Sequence, residues 1–266
     1  MTAKSKNWIT NYWKPVPENK KSGTINTNGI ILWEGESVLD RSPIVAILTG
    51  LDKRSQNSKT GNGKDDMLQI FIIRQDVDPV TAQNLGLDVA TCGSCILRPY
   101  LRHLRLLLGI SKPCYVETSK SVSSVFQSYT RGGYLHLNDI DTDNVINQIG
   151  TRRVRIGAYG DGMAIPFDSW ESIMQRIGYP LSTGYTHQWK RKGSEVYRNM
   201  LMASCDTVAD KVKAHSKGFT CFTIGDSDAV QCPAQVSPEN NSCATCGSIE
   251  PLCSGGSGLD IGVTLH

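Results

Sequence analysis

Four cysteines close to the C-terminus have the types and spacing of metal ligands. They follow the arrangement C-x10-C-x2-C-x6-C, and the residues are Cys232, Cys243, Cys246 and Cys253. Prolines, glycines and short polar residues surround them, so the segment lacks the side chains of an apolar core. Four thiolates around one Cys-x-x-Cys pair can bind a tetrahedral Zn²⁺ or a [4Fe–4S] cluster. Because zinc knuckles more often contain two such pairs, we expect an iron–sulfur cluster, with zinc as the alternative.

A second group of cysteines lies earlier in the chain and consists of Cys92, Cys95 and Cys114. Three thiolates leave one coordination position of an ion or cluster for another group, which makes an open iron site a possible arrangement. Two alternatives stay open: Cys114 is a buried core thiol, or the group shares ligands with the C-terminal cysteines. Cys205 and Cys221 lie inside predicted strands, and we expect both to be core residues.

Four polar or aromatic residues lie at or just after predicted strands, where α/β proteins place their functional loops. These pocket candidates are Tyr159, Asp161, His187 and Asp206. Each also has a structural interpretation, such as a capping carboxylate or a hydrogen-bonded packing residue. The glycine-rich stretches match neither a dinucleotide-binding nor a Walker A motif, and no Gly-x-Ser-x-Gly elbow is present. The residues alone therefore identify no reaction.

The charge pattern gives little indication of a partner. The formal net charge is only +3, so no overall field favours nucleic acid or membranes. Arg98, Arg102 and Arg105 share one face of a predicted helix, which is either solvated or a nucleic-acid contact surface. The N-terminus lacks the apolar run of a signal peptide, and no stretch has the length of a membrane span. We therefore expect a protein of the reducing cytoplasm, where clustered cysteines more often bind metal than form disulfides.

Short apolar runs alternate with amphipathic segments along most of the chain, which predicts an α/β fold with a parallel sheet. Seven predicted strands favour a complete or partial (β/α) barrel, with an open doubly wound sheet as the alternative. The predicted strands occupy residues 44–51, 67–75, 114–118, 153–161, 182–187, 201–207 and 219–226. The main predicted helices occupy residues 78–86, 98–109, 121–133, 141–150, 167–178, 194–200 and 208–218.

Three regions follow from these patterns. Residues 1–40 form a predicted N-terminal arm, in which Trp8, Trp13 and Trp33 are possible docking points. Residues 41–230 form the α/β domain with an embedded Cys-x-x-Cys loop, and a polar loop occupies residues 52–66. Residues 231–266 form the cysteine-rich, metal-binding tail.

Several ordered strings between residues 42 and 253 resemble a family of cysteine-rich proteins carried by bacterial phages, plasmids and other mobile elements, related to the phage "gene product 88" type. The strings are "NSKTG", "IIRQDVDPVTAQNLG", "CGSC…CYVE", "VRIGAYGDGMAIPFDSW", "TGYTHQW", "MASCDT" and "QCPA…CATCG". The stretch 96–113 is longer than the resemblance leads us to expect between the cysteines. The resemblance implies a mobile-element origin and no particular reaction.

Two functional hypotheses result. The first is a phage- or plasmid-encoded protein of the host cytoplasm that carries a cysteine-ligated iron–sulfur centre, with the pocket candidates close to it. The second is a zinc protein without catalysis, which binds nucleic acid or a host factor and uses the arginine face as its contact surface.

Overall fold

Continuous runs of Ile, Val and Leu form the central strands of the protein. The computed structural model describes residues 28–51, 67–110, 114–247 and 250–264. Within them, the strands are β1 (Gly29–Glu36), β2 (Pro43–Thr49), β3 (Met67–Arg74), β4 (Leu135–His136), β5 (Arg153–Tyr159), β6 (Ser182–Thr186), β7 (Met202–Cys205), β8 (Cys221–Ile224), β9 (Val230–Gln231) and β10 (Ile261–Val263). Trp8, Trp13 and the predicted polar loop 52–66 lie outside the described residues.

The ten described strands form one mixed sheet in the order β4-β1-β2-β3-β5-β6-β7-β8-β10-β9. Strand β2 is antiparallel to both of its neighbours, and every other pairing is parallel. The α/β class is thus confirmed, with a mostly parallel sheet. No pairing among the described strands joins the two edges β4 and β9, so these strands form an open row and do not close the complete barrel that was one of the expected forms.

The sheet is covered by apolar side chains on both faces, which explains why its central strands are apolar throughout. Alternation along β2 shows the two sides: Ile44, Ala46 and Leu48 belong to one core cluster, and Val45 and Ile47 belong to the other. The first cluster also contains the buried side of the helix at 167–177. We call the face that carries Val45 and Ile47 the second face, because both groups of cysteines lie on it.

Eight α-helices lie within the described residues, and local sequence signals explain several of their ends. Helix α1 begins after Asp78, whose carboxylate accepts hydrogen bonds from two backbone N–H groups, and it ends at Gly86 in the left-handed conformation, as its cap residues predict. The helices are α1 (Pro79–Leu85), α2 (Val89–Cys92), α3 (Arg102–Leu107), α4 (Ser123–Thr130), α5 (Thr142–Ile149), α6 (Phe167–Ile177), α7 (Val208–Ser216) and α8 (Pro233–Val236). None of the helices in the described residues has the length and apolar content needed to cross a membrane.

Four predictions about regions and elements differ from the structure. The N-terminal arm was drawn too long, because residues 29–36 form β1, which pairs with β2 over its whole length. Residues 114–118 form no strand. The tail does not stand apart from the α/β domain, since β10 lies between β8 and β9 in the sheet. Residues 194–200, predicted as an α-helix, contain a 3-10 turn at Ser194–Tyr197.

The predicted arginine face at 98–109 is also wrong. Arg98 and Arg105 are buried, and only Arg102 of the three is exposed. Three leucines of this segment point outward: Leu104 is 49% exposed, Leu107 85% and Leu108 62%. A surface on which Arg98 and Arg105 contact nucleic acid is therefore excluded.

Candidate functional site

Three neighbouring strands end close together and bring the pocket candidates to one edge of the sheet. Tyr159 is the last residue of β5, and Asp161 lies two residues beyond it. His187 directly follows β6, and Asp206 directly follows β7. Because β5, β6 and β7 are adjacent and parallel, their carboxyl ends meet at the same edge, as the strand pattern predicts.

Asp161 organises this edge rather than facing a pocket. Its carboxylate accepts hydrogen bonds from the backbone N–H of Met163, the hydroxyl of Thr186 and the backbone N–H of His187. The residue is buried, and burial raises the pKa of its carboxyl group even though these donors act in the opposite direction. Asp161 therefore fixes the position of the segment that carries His187.

His187 lies between an acid and a thiol. Its Nε2 is 3.7 Å from Oδ1 of Asp206, and Cys95 lies near enough to act on the pKa of its ring. Burial alone would lower the pKa of His187, but Cys95 and Asp206 outweigh burial and raise it to about 10. Burial would likewise raise the pKa of Asp206, yet the neighbouring imidazole lowers it. The three side chains thus form a coupled group at the strand ends.

Cys92 and Cys114 have different partners from Cys95. The sulfur of Cys92 lies 3.7 Å from the hydroxyl of Thr91, and Cys92 packs against the apolar cluster of the second face. Burial, followed by the charges of Cys95 and Asp88, raises the pKa of Cys92 well above its usual value. Burial also raises the pKa of Cys114. The three thiols are close enough to influence one another's pKa.

A buried ion pair fixes the Cys-x-x-Cys loop. The Arg98 guanidinium donates to Asp88 Oδ1 at 2.6 and 3.0 Å, and also to the carbonyls of Gly86 and Gly93. Both charged side chains are almost fully buried, at 7% and 2% exposure. This contact explains why Arg98 points inward: the loop that carries the cysteines has carbonyls that need a donor.

Gln188 ties the same loop to the end of β6. Its side-chain oxygen accepts hydrogen bonds from the N–H and the hydroxyl of Ser94, and its amide group donates to the carbonyl of Cys92. Gly93, between these residues, has a φ of 54° and leaves no room for a side chain beside Gln188. The loop and His187 are therefore held in a fixed relation.

The four tail cysteines lie over the second face of the sheet, in the region of Arg153 and Arg155 near the start of β5. Cys246 and Cys253 are buried, and Cys232 and Cys243 are partly exposed. Cys253 belongs to a small core cluster with Met202 and Ile261. Burial comes first in raising the pKa of Cys253 to about 12, and the other three tail thiols add to it. These thiols are thus neighbours, which agrees with the grouping expected from their spacing.

Two arginines of β5 reach into the tail. Arg153 donates to the carbonyl of Cys246 at 2.5 Å, and Arg155 donates to the sulfur of Cys243 at 3.4 Å. Burial disfavours the charge of Arg155, but Tyr115, Cys243 and other neighbours outweigh it and raise the arginine's pKa. In the described part of the chain, no carboxylate pairs with Arg155, and its Nε has no hydrogen-bond partner.

Thr183, which pairs with Arg155 across β5 and β6, adds a second polar group to this region. Its hydroxyl is buried and also has no hydrogen-bond partner among the described residues. The buried Nε of Arg155 and the buried hydroxyl of Thr183 both lack partners among the described residues, which is costly, so the region beneath Cys243 is suited to a negatively charged, hydrogen-bonding group.

One further cluster contains potential metal ligands. Within the part of the chain that the structure describes, His215, Cys221 and Asp260 are the one group of three such residues whose ligand atoms lie within 4.8 Å of one another. However, the ammonium of Lys211 is 3.2 Å from the same carboxylate, and Asp260 also accepts from the N–H of Cys221. The carboxylate of this group is therefore already paired with the ammonium of Lys211. Cys205 and Cys221 are buried, which confirms their prediction as core residues.

Comparison with known proteins gives no functional assignment. No protein-family model, curated protein or solved structure matches the chain. Three contributors to the site were missed at the sequence level, namely Arg155, Thr183 and Gln188. The run "RVRIGAY" does contain a usable signal, because two arginines that alternate with apolar residues in a buried strand must face one common side.

Proposed function

We propose that this chain is an iron–sulfur protein in which Cys232, Cys243, Cys246 and Cys253 hold the cluster against the second face of the sheet. The observation that carries the proposal is Arg155. This partly buried cation contacts the sulfur of Cys243 and has no carboxylate partner among the described residues. Four thiolates around a metal centre carry excess negative charge, which would compensate the guanidinium.

The separation of the sulfurs supports a cluster over a single zinc ion. Zn–S bonds of about 2.3 Å place the sulfurs of a tetrahedral site about 3.8 Å apart. No three of the tail sulfurs, all of which lie in the described residues, come within 4.8 Å of one another. A cubane cluster spaces its ligands more widely, because each cysteine binds a different iron.

The effect of the thiols on one another's pKa also supports a metal centre. Burial and the neighbouring thiols raise the pKa of Cys232 and Cys253, so a group of four thiolates needs a cation among them. Iron or zinc supplies that cation, and its binding releases the thiol protons. The cluster would also add folding energy to a segment that has few apolar residues.

The origin and location of the protein are part of the same proposal. The resemblance to cysteine-rich proteins of mobile elements suggests a phage or plasmid gene, whose product would act in the reducing cytoplasm of the host, where an iron–sulfur cluster is stable. No reaction is assigned to the cluster.

Metal analysis after anaerobic purification tests the proposal. We expect a brown protein that absorbs at about 400 nm and contains about four iron atoms per chain. The C243S variant should lose most of the iron and the absorption, because Cys243 is a proposed ligand. The matched control is C221S, which removes a buried core thiol outside the tail and should keep both. A colourless wild-type protein with one zinc per chain would contradict the cluster and favour the zinc alternative.

A further inference from the structure

The hydrogen-bond donors beneath the tail cysteines indicate what the proposed cluster does. We propose that the centre is a one-electron carrier, and that Arg155, together with Thr183, sets its reduction potential by stabilising the reduced form. The inference rests on the proposed function and adds a reaction to it. Reduction adds one electron to the cluster and forms or breaks no bond. A one-electron donor of lower potential supplies that electron, and dithionite takes this role in the test below.

Arg155 faces the tail because of its place in β5. Its neighbours Val154 and Ile156 belong to the core cluster on the opposite face of the sheet, so alternation along the strand places Arg155 on the second face. There its guanidinium donates to the sulfur of Cys243 at 3.4 Å. The arginine thus contacts a proposed ligand atom of the cluster directly.

Thr183 provides a second donor at the same place. It pairs with Arg155 in the ladder between β5 and β6, so the two side chains are neighbours on the second face. Thr183 is 2% exposed. Its hydroxyl and the Nε of Arg155 have no hydrogen-bond partner among the described residues. Because unsatisfied buried donors are costly, an electron-rich group beside Cys243 that accepts from both would stabilise the protein.

Donors in this position act on the reduction potential. Reduction makes a cluster with four thiolate ligands more negative by one charge. A neighbouring cation and hydrogen bonds to the sulfurs both favour the more negative state. These effects are larger in the low-dielectric interior than in water. Arg155 should therefore raise the potential, so that the cluster accepts an electron more readily.

The ligand set favours electron transfer over substrate binding. The four tail cysteines supply one thiolate for each iron of a [4Fe–4S] cluster, which leaves no iron open to a substrate. Cys232 and Cys243 are partly exposed, so the centre would lie close to the protein surface, where a redox partner can approach it. A purely structural cluster is the alternative, and it predicts a centre that dithionite does not reduce.

Potentiometric titration of the anaerobically purified, full-length protein tests the inference. Dithionite is the reductant, and the loss of the visible absorption of the cluster measures the reduced fraction. At a given potential, R155M should lower the ratio of reduced to oxidised protein at least about tenfold, because a hydrogen bond to a charged group changes an equilibrium constant by about that factor or more. For one electron, a tenfold change is a shift of about 59 mV to more negative potential.

Three further variants separate hydrogen bonding from charge. R155K keeps the charge without the guanidinium fork, and its potential should lie between those of R155M and the wild type. T183V changes no charge and should shift the potential in the same direction by a smaller amount. R131M is the matched control, because Arg131 is an exposed arginine that follows α4 on the second face. Solvent screens its charge, so its loss should leave the potential unchanged.

Iron analysis of each variant shows whether the cluster is retained. A wild-type protein that contains the iron but is not reduced by dithionite would overturn the electron-carrier role. R155M with the wild-type potential, or an equal shift in R131M, would overturn the role of Arg155. If R155M loses its iron, R155K and T183V decide, and unchanged potentials in both would refute the inference.

The proposed function has a separate readout in the metal content of the wild type. Zinc in place of iron contradicts the cluster itself. Iron in the wild type together with an unchanged potential in R155M contradicts only the role of Arg155 and leaves the iron–sulfur assignment in place.

Discussion

Replacement of Arg98 by alanine is expected to destabilise the protein strongly, because the arginine joins the Cys-x-x-Cys loop to the core. Its guanidinium makes two hydrogen bonds to Asp88 and one each to the carbonyls of Gly86 and Gly93. Asp88 is 2% exposed, so water cannot replace the lost partner. The variant therefore leaves one buried carboxylate and the carbonyl of Gly93 without donors, whereas the carbonyl of Gly86 still accepts from the N–H of Val89.

The magnitude follows from these contacts. Removal of one partner of a buried ion pair costs about 3–5 kcal/mol, and each buried carbonyl without a donor adds about 1 kcal/mol or less. Because these losses are not additive, we expect a decrease of about 4 kcal/mol in the free energy of unfolding. That is a large share of the roughly 5–15 kcal/mol by which a folded protein is stable.

Urea denaturation of the purified protein, followed by circular dichroism, measures this change. R102A is the matched control, since Arg102 is an exposed arginine at the start of α3. This substitution should change the free energy of unfolding by less than about 0.5 kcal/mol. The double variant D88L/R98M removes both charges and should recover most of the loss. A loss below about 1 kcal/mol in R98A, or equal losses in R98A and R102A, would refute the assigned role of the ion pair.

Three other predictions concern local features. G93A should lower the free energy of unfolding by about 2 kcal/mol, since its Cβ would lie 2.4 Å from Gln188 Oε1, whereas G193A, at a positive φ with open space around it, should lower it by only about 1 kcal/mol. D78A should lower the free energy of unfolding by about 1 kcal/mol through loss of the α1 cap. Burial would raise the pKa of Asp260, but its imidazole, backbone N–H and ammonium neighbours lower it. Its contribution is thus present above the unfolded value of about 3.9 and is lost as the pH falls through the lower folded-state value. The stability gap between wild type and D260N, measured by urea denaturation, should therefore narrow below about pH 4.

Strands that carry their own signal were predicted well. The apolar runs of β2 and β3 and the capped helix α1 depend on residues that are adjacent in sequence, so local patterns identify them. Strands β4, β9 and β10 are only two or three residues long, and their pairing depends on distant neighbours. Strand β1 was missed because its run "GIILWEGE" continues from the polar segment that precedes it.

The segment 98–109, in which arginines are buried and leucines are exposed, shows why the sequence pattern alone does not predict a site. Helical periodicity assigns leucines to the core and arginines to water, yet Leu107 is exposed and Arg98 is buried. The difference arises from Asp88 and from carbonyls in a loop, neither of which belongs to the helix. A charged residue can be buried when such partners are fixed near it, and the sequence does not reveal that proximity.

Part of the coupled group could be predicted from the sequence, and part of it could not. The positions of His187 and Asp206 at the ends of β6 and β7 followed from strand pattern, and their proximity followed from the parallel sheet. The position of Cys95 did not, because its loop precedes β5 in the chain and reaches His187 only through the contacts of Arg98 and Gln188. The buried ion pair of Arg98 and Asp88 thus fixes the loop that carries Cys95.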